Sequence, residues 1–303
     1  RYIIIKKGSS LLKQRILTAV ILAPAVIAGI FYLPLNYFAG SLLAIMAIGA
    51  WEWGPLMGFA CNKRRMSFVA ATSLLIALLW YFITLNNIWL DTATVQASAS
   101  PHFLVTLILW LAVVWWVLSA GMTLLYPRYS KFWSNHRSIR GVFGWLTLVP
   151  TWLAFVVLRS YDFDTDPYHG AQLIMSLFLM VWTADVGAYF VGKAIGKHKL
   201  LPNVSPGKTI EGFIGGVIFA CILVSIAGYI IGWDSQKFTM ALSVTVLITT
   251  ISVLGDLNES MFKRQAGLKD SGSILPGHGG ILDRIDSLTA TAPIYALCYI
   301  LIG

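Results

Sequence analysis

Asp256, Glu259, Lys263, Arg264, Lys269, Asp270, His278, Asp283, Arg284 and Asp286 fall within one glycine-rich stretch, GDLNESMFKRQAGLKDSGSILPGHGGILDRIDS, from Gly255 to Ser287. Apolar runs of membrane-spanning character flank it on both sides. Charge at the edge of lipid is costly, so such a cluster points to a site. Carboxylates hold a hard cation, cationic side chains hold phosphates, and glycines let backbone approach a ligand, which together predict metal-dependent phosphate chemistry. Asp256 and Glu259 stand three residues apart, so on a helix they share a face, with Lys263 and Arg264 about one turn further on. Asp283 and Asp286 repeat that spacing where the last apolar run begins. Two acidic helix ends, joined across the flexible break His278-Gly279-Gly280, are expected to converge on one or two divalent cations. Asp256, Asp283, Glu259 and Asp286 are the candidate ligands. A cation bridging phosphate oxygens stabilises the attacking and leaving groups of phosphoryl or nucleotidyl transfer. The competing reading is a solvated, salt-bridged loop, since exposed charge pairs are common and weak.

Two further groups carry matching chemistry. Asp185, in WTADVGAY, falls inside an apolar run, where an acid needs a cationic partner, a metal or a wet cavity. Lys193, Lys197 and Lys199 follow it and read either as phosphate contacts or as topology determinants. The run Ser205-Pro206-Gly207-Lys208-Thr209-Ile210-Glu211-Gly212 contains a Gly-Lys-Thr triplet. It is not a P-loop, because Pro202 stands where the upstream glycine belongs and no strand is expected before it. A helix starting there would still present free N–H groups, a positive dipole end and the Lys208 ammonium to a phosphate. The plainer alternative is a helix start capped by Thr209 or Ser205. His278 reads as a general base or as a hydrogen-bonding loop residue, and the other histidines show no metal-ligand spacing.

The elements that must position these residues are helical and membrane-embedded. The 303 residues are 57% hydrophobic and only 12% charged, about half the charged fraction of a soluble domain. Blocks of apolar sequence, rather than alternation, argue against a β-barrel and for an all-α, polytopic membrane protein. Nine spans are expected, near 16–33, 36–52, 67–85, 102–125, 141–159, 171–192, 212–232, 238–255 and 287–303, the second and ninth being the weakest. With the N-terminus inside, all of the 22 Lys and Arg residues except Arg159 and Lys237 fall on inside segments, and one outside loop carries Asp162, Asp164 and Asp166. This places the polar loops on the cytoplasmic face and the C-terminus outside. The net charge of +9 therefore reports topology and anionic headgroups rather than nucleic acid. Cys61, Cys221 and Cys298 are scattered and suggest packing, not disulfides or zinc. The first apolar run is expected to be retained, with no cleavable signal peptide. A soft boundary near Arg140 divides scaffold spans (1–140) from spans with the candidate chemistry (141–303).

The pattern Ser260-x-x-Lys263-Arg264, Lys269-Asp270 and Pro276-Gly277-His278-Gly279-Gly280-x-x-Asp283-Arg284-x-Asp286 resembles the signature of the phosphatidate cytidylyltransferases of the bacterial type. The resemblance extends to Asp185 through Tyr189, Gly196-Lys197-His198-Lys199, Ser205 to Thr209, Gly255 to Ser260 and Trp51-Glu52-Trp53. Val186 departs from it, at a position where a small polar residue is expected. The resemblance implies a dimeric, multi-helical enzyme of the bacterial inner membrane. It makes CDP-diacylglycerol and pyrophosphate from CTP and phosphatidic acid, with Mg²⁺ or Mn²⁺ and room for a second cation. Metal ligation is expected at positions matching Asp256 and Asp283. Lys208, Lys263 and Arg264 join those acids as catalytic candidates. Asp185, Lys193, Lys197, Lys199, Ser205, Thr209, Glu211, Ser260, Lys269, His278, Gly279, Gly280 and Arg284 are candidate substrate or nucleotide contacts. The attacking phosphate is already ionised near neutral pH, with a second pKa of about 6, so no strong base is required. The rival readings are a CTP-dependent polyprenol or lipid kinase, which would release CDP, and an ion-coupled transporter. No repeated halves support a transporter, and a non-catalytic scaffold gives no reason for so many charges at one face.

Overall fold

The computed structural model describes residues 18, 20–83, 88–90, 100–163 and 165–302. Among them run α1 (Val20–Tyr32), α2 (Leu35–Leu56), α3 (Asn62–Phe82), α4 (Phe103–Leu124), the short α5 (Ser130–Ser134) and α6 (Arg137–Ser160). Next come α7 (His169–Ile195), α8 (Ile210–Ile231), α9 (Ser235–Gln265) and α10 (Leu282–Ile302). Two antiparallel ribbons complete the described elements: β1 (Trp89–Leu90) with β2 (Ser100–Pro101), and β3 (Lys199–Leu201) with β4 (Ser205–Thr209). The fold is the expected all-α membrane bundle. A helix stands at each of the nine expected spans, and seven of them, α3, α4 and α6 to α10, are long and apolar enough to cross a membrane. α1 is shorter, and α2 has 22 residues but is not among the seven.

Two helix ends differ from expectation. α9 continues past the expected span end at 255 to Gln265, so Asp256, Glu259, Lys263 and Arg264 lie on one helix end, as their spacing suggests. The Glu259–Lys263 pair, one turn apart, supports this polar extension. Helix α9 stops just before Gly267, whose φ of +70° suits a residue without a side chain. α10 starts at Leu282, so Asp283 stands in its first turn, where an acid complements the positive end of the helix.

The core is built around α6, which is buried at every position from Thr147 to Ser160. A helix apolar all round belongs inside a bundle. Indole N–H groups tie its neighbours together: Trp53 donates to the Arg140 carbonyl, Trp115 to Thr147 Oγ1, Trp145 to Thr72 Oγ1 and Trp152 to the Ala39 carbonyl. Asn258 on α9 donates to Ser119 and Thr123 on α4. Each such interhelical bond contributes about 0.6 kcal/mol in lipid.

Contacts at the two ends of the bundle separate its faces. At one end Arg140 donates to the Leu56 carbonyl, the Leu282 N–H to Glu52 of α2, Arg264 to the Val204 carbonyl, and Thr18 to the Pro276 carbonyl. The α2–α3, α7–α8 and α9–α10 connections and the start of α1 therefore share a face, as the charge asymmetry predicts. At the other end Arg159 is 2% exposed and donates to the carbonyls of Ile30, Phe31 and Pro167. One of the two cations expected on the outer side is thus a buried cap on α1, not a solvent-facing charge.

Candidate active site

Close helix approach sets the site. Gly216 of α8 packs so tightly on α7 that a Cβ there would stand 2.6 Å from the Ala184 carbonyl oxygen. Gly255 of α9 meets α10 in the same way, 2.8 Å from the Asp286 carbonyl oxygen. Small residues at such crossings let membrane helices approach backbone to backbone. The first crossing sets Asp185 beside the start of α8, and the second sets Asp256 beside Asp286.

Between α7, β4, α8 and α9 lies a cavity of about 430 Å³ whose lining includes Asp185, Lys193, Lys208, Thr209, Phe213 and Asp256. Lys208 Nζ stands 2.6 Å from Asp256 Oδ2, and the Ser260 hydroxyl donates to Asp256 Oδ1 at 3.3 Å. Asp185 is exposed, feels the charges of Lys208 and Asp256, and lines this cavity rather than lipid alone. The Gly-Lys-Thr triplet lies on strand β4, which sequence reasoning did not expect; pairing with β3 holds it extended. The P-loop remains excluded, because the triplet is itself strand rather than a loop after one. Thr209 caps α8, its hydroxyl accepting from the Gly212 N–H at 3.1 Å, while Ser205 sits further back, opposite Leu201.

A second node lies where α9 meets α10. Lys263, 8% exposed, donates to Asp283 Oδ1 at 2.7 Å and stands 3.1 Å from Glu259 Oε1. Asp283 also accepts the N–H of Ser271, at 3.1 and 3.0 Å to its two oxygens, and the N–H of Gly280 at 2.8 Å. Glu259 is 4% exposed and neither of its oxygens has a hydrogen-bond partner, although Lys263 pairs with it electrostatically. Asp286 accepts the Ser287 N–H and lies in the field of Asp256, Lys263 and Lys208. The two nodes are therefore one electrostatic unit, running from Asp185 through Lys208 and Asp256 to Asp286, Glu259, Lys263 and Asp283. Charge of both signs is held together at the end of a greasy bundle, an arrangement costly unless used.

Other predicted residues serve as bracing. Glu211 accepts the backbone N–H groups of Lys197 and His198, and its carboxylate meets His198 Nδ1 at 2.6 Å, so it fixes the turn before β3. Arg264 Nε donates to the Val204 carbonyl and ties the β3–β4 turn to α9. Arg284 Nε donates to the His278 carbonyl, and the His278 N–H donates to the Leu275 carbonyl. His278 Nδ1 is buried without a partner. Gly279 has a φ of +83° and lies against Asp283, where a side chain would be strained. Lys193, Lys197, Lys199 and Lys269 are exposed around this face.

Glu52 is the residue to which sequence reasoning gave no role, although it falls in the family-like run Trp51-Glu52-Trp53. It comes from α2, is 1% exposed, and accepts from Ser271 Oγ, Ile281 N–H and Leu282 N–H. The signal was present: the rule that an acid inside an apolar run needs a reason, applied to Asp185, applies equally to Trp51-Glu52-Trp53.

Residues 13–302 match the family described as the Cytidylyltransferase family. A phosphatidate cytidylyltransferase of Haemophilus influenzae is 40% identical over 294 residues, covering 95% of this chain and 99% of the relative. One of Pseudomonas aeruginosa is 40% identical over 286 residues, covering 94% and 96%. One of Staphylococcus haemolyticus is 47% identical over 142 residues, covering 47% and 54%. With near-complete coverage on both sides, and the paired lysines and carboxylates gathered at one end of a membrane bundle, the chain belongs to the cytidylyltransferase family.

Proposed function

We propose that this protein condenses CTP with phosphatidic acid to give CDP-diacylglycerol and pyrophosphate in the bacterial inner membrane. The observation that carries the reading is the cavity joining Lys208 and Asp256 at the end of the apolar bundle. Its relatives of matching length are phosphatidate cytidylyltransferases. A phosphate oxygen of phosphatidic acid attacks the α-phosphorus of CTP. A new P–O bond forms, the α–β bridge breaks, and its electrons leave on pyrophosphate. The nucleophile is already an anion, so positioning and charge neutralisation are what the site must supply. Lys208 and Lys193, with the start of α8, hold CTP phosphates, and the cavity admits the lipid headgroup from the side. The positive-inside pattern supports a cytoplasmic site, where CTP is supplied.

The donor set fits a hard divalent cation such as Mg²⁺. Asp256, Glu259, Asp283 and Asp286 offer only oxygen, and both Glu259 oxygens are buried without a hydrogen bond. Among the described residues no three acid, His or Cys side chains form a metal cage. Mg²⁺ is commonly held by one or two carboxylates plus substrate phosphates, so these acids suit a cation that arrives with the nucleotide. When bound, it would neutralise charge on the phosphates. The family resemblance also supports a homodimer.

CTP labelled separately in the α- and γ-phosphates tests the reaction. With purified protein and phosphatidic acid, α-label is expected in lipid and γ-label in pyrophosphate. γ-Label in lipid, with release of CDP, would establish a kinase and overturn the reading.

A further inference from the structure

We infer that Glu52 is a positioning residue that fixes the 271–282 loop and, through it, the Asp283 carboxylate. Two carboxylates grip this loop from opposite sides. Asp283 takes the N–H groups of Ser271 and Gly280, while Glu52 takes the Ser271 hydroxyl at 3.3 Å and the N–H groups of Ile281 and Leu282 at 3.1 and 2.8 Å. Ser271 is held by both: its backbone by Asp283, its side chain by Glu52. Gly280 and Ile281 are adjacent residues divided between the same two acids. The grip is tight, since a Cβ on either Gly272 or Gly280 would overlap the Glu52 carboxylate. The N–H groups of Ile281 and Leu282 lie at the start of α10, where no intrahelical partner exists. Glu52 thus supplies from α2 the cap that α10 lacks in its own sequence. Asp283 lies one residue beyond Leu282, so the direction of its side chain follows from this anchor.

A carboxylate is needed, not only bulk. Glu52 receives hydrogen bonds at both oxygens. An amide would turn one of them into a donor facing an N–H group. Loss of a group that orients a functional carboxylate typically costs about 10- to 100-fold in activity. The activity arm of the test rests on the cytidylyltransferase reading; the structural arm does not.

Glu52→Gln in the full-length, detergent-purified protein is expected to lower kcat for CDP-diacylglycerol formation by roughly 10- to 100-fold while leaving KM for CTP near the wild-type value. Amide exchange in the peptide spanning 271–282 is expected to accelerate, with α6 unchanged. Combined with Asp283→Asn, it should cost no more than Asp283→Asn alone, because one acts through the other. If Glu52→Gln fails to fold, Ser271→Ala removes one donor, leaves both backbone donors, and is expected to move exchange and kcat the same way by less. Full kcat with unaltered exchange in the variant that folds, or additive losses with Asp283→Asn, would overturn the inference. Wild-type protein that makes no CDP-diacylglycerol would instead defeat the reaction assignment and leave the exchange result to decide the anchor.

Discussion

Replacing Lys263 with methionine keeps much of the side-chain volume and removes the charge between two buried acids. The ammonium stands 2.7 Å from Asp283 and 3.1 Å from Glu259, and the three side chains are 10%, 6% and 5% exposed, so solvent screens them little. At an effective dielectric of about 20 the two attractions amount to roughly 6 and 5 kcal/mol before desolvation. Desolvation offsets much of that, but the acids' share is not recovered when only the cation is removed. The two buried acids then lose their counter-charge, and breaking a buried pair in this way costs about 3–5 kcal/mol. At about 2 °C per kcal/mol, the large-chain end of the usual range, Tm should fall by roughly 6–10 °C. Differential scanning fluorimetry of the detergent-purified protein measures this. Lys263→Met/Glu259→Gln should recover part of the loss, since one of the two stranded acids is gone. A Lys263→Met protein melting with the wild type would refute the buried three-charge node. So would a double variant less stable than the single.

Other outcomes follow from the same geometry. Lys208→Ala should raise KM for CTP more than KM for phosphatidic acid, and Asp256→Asn should remove nearly all turnover at an unchanged elution volume. Equal KM effects on both substrates would count against Lys208 as a nucleotide contact, and near-wild-type turnover of Asp256→Asn at saturating Mg²⁺ against the metal role. In a background lacking Cys61, Cys221 and Cys298, Thr165→Cys should react with an impermeant maleimide in intact cells, and Ser273→Cys only after permeabilisation. The reverse pattern would move the site to the other side of the membrane.

Sequence alone determines the nine-helix plan and the gathering of basic loops on one face. Both follow from one-dimensional properties, the length of an apolar run and the sign of the charges that bound it. It also marks Asp185, Lys208, Asp256 and Asp283, because charge in or beside apolar sequence stands out wherever the chain folds. It does not determine which acid meets which cation. Lys263 pairs across 20 residues of sequence with Asp283 as well as with Glu259 on its own helix, and Lys208 with Asp256 rather than Asp185. Those choices belong to the crossings at Gly216 and Gly255, where backbone contact, not side-chain type, sets the distance. Glu211 looks like a phosphate contact in sequence, yet its carboxylate braces a turn, a use visible only once the N–H groups it accepts are in place, whereas Thr209 caps α8 as the plainer sequence reading has it. Glu52 is the clearest case. It lies 230 residues before Leu282, and only tertiary packing brings its carboxylate to the two unpaired N–H groups that open α10.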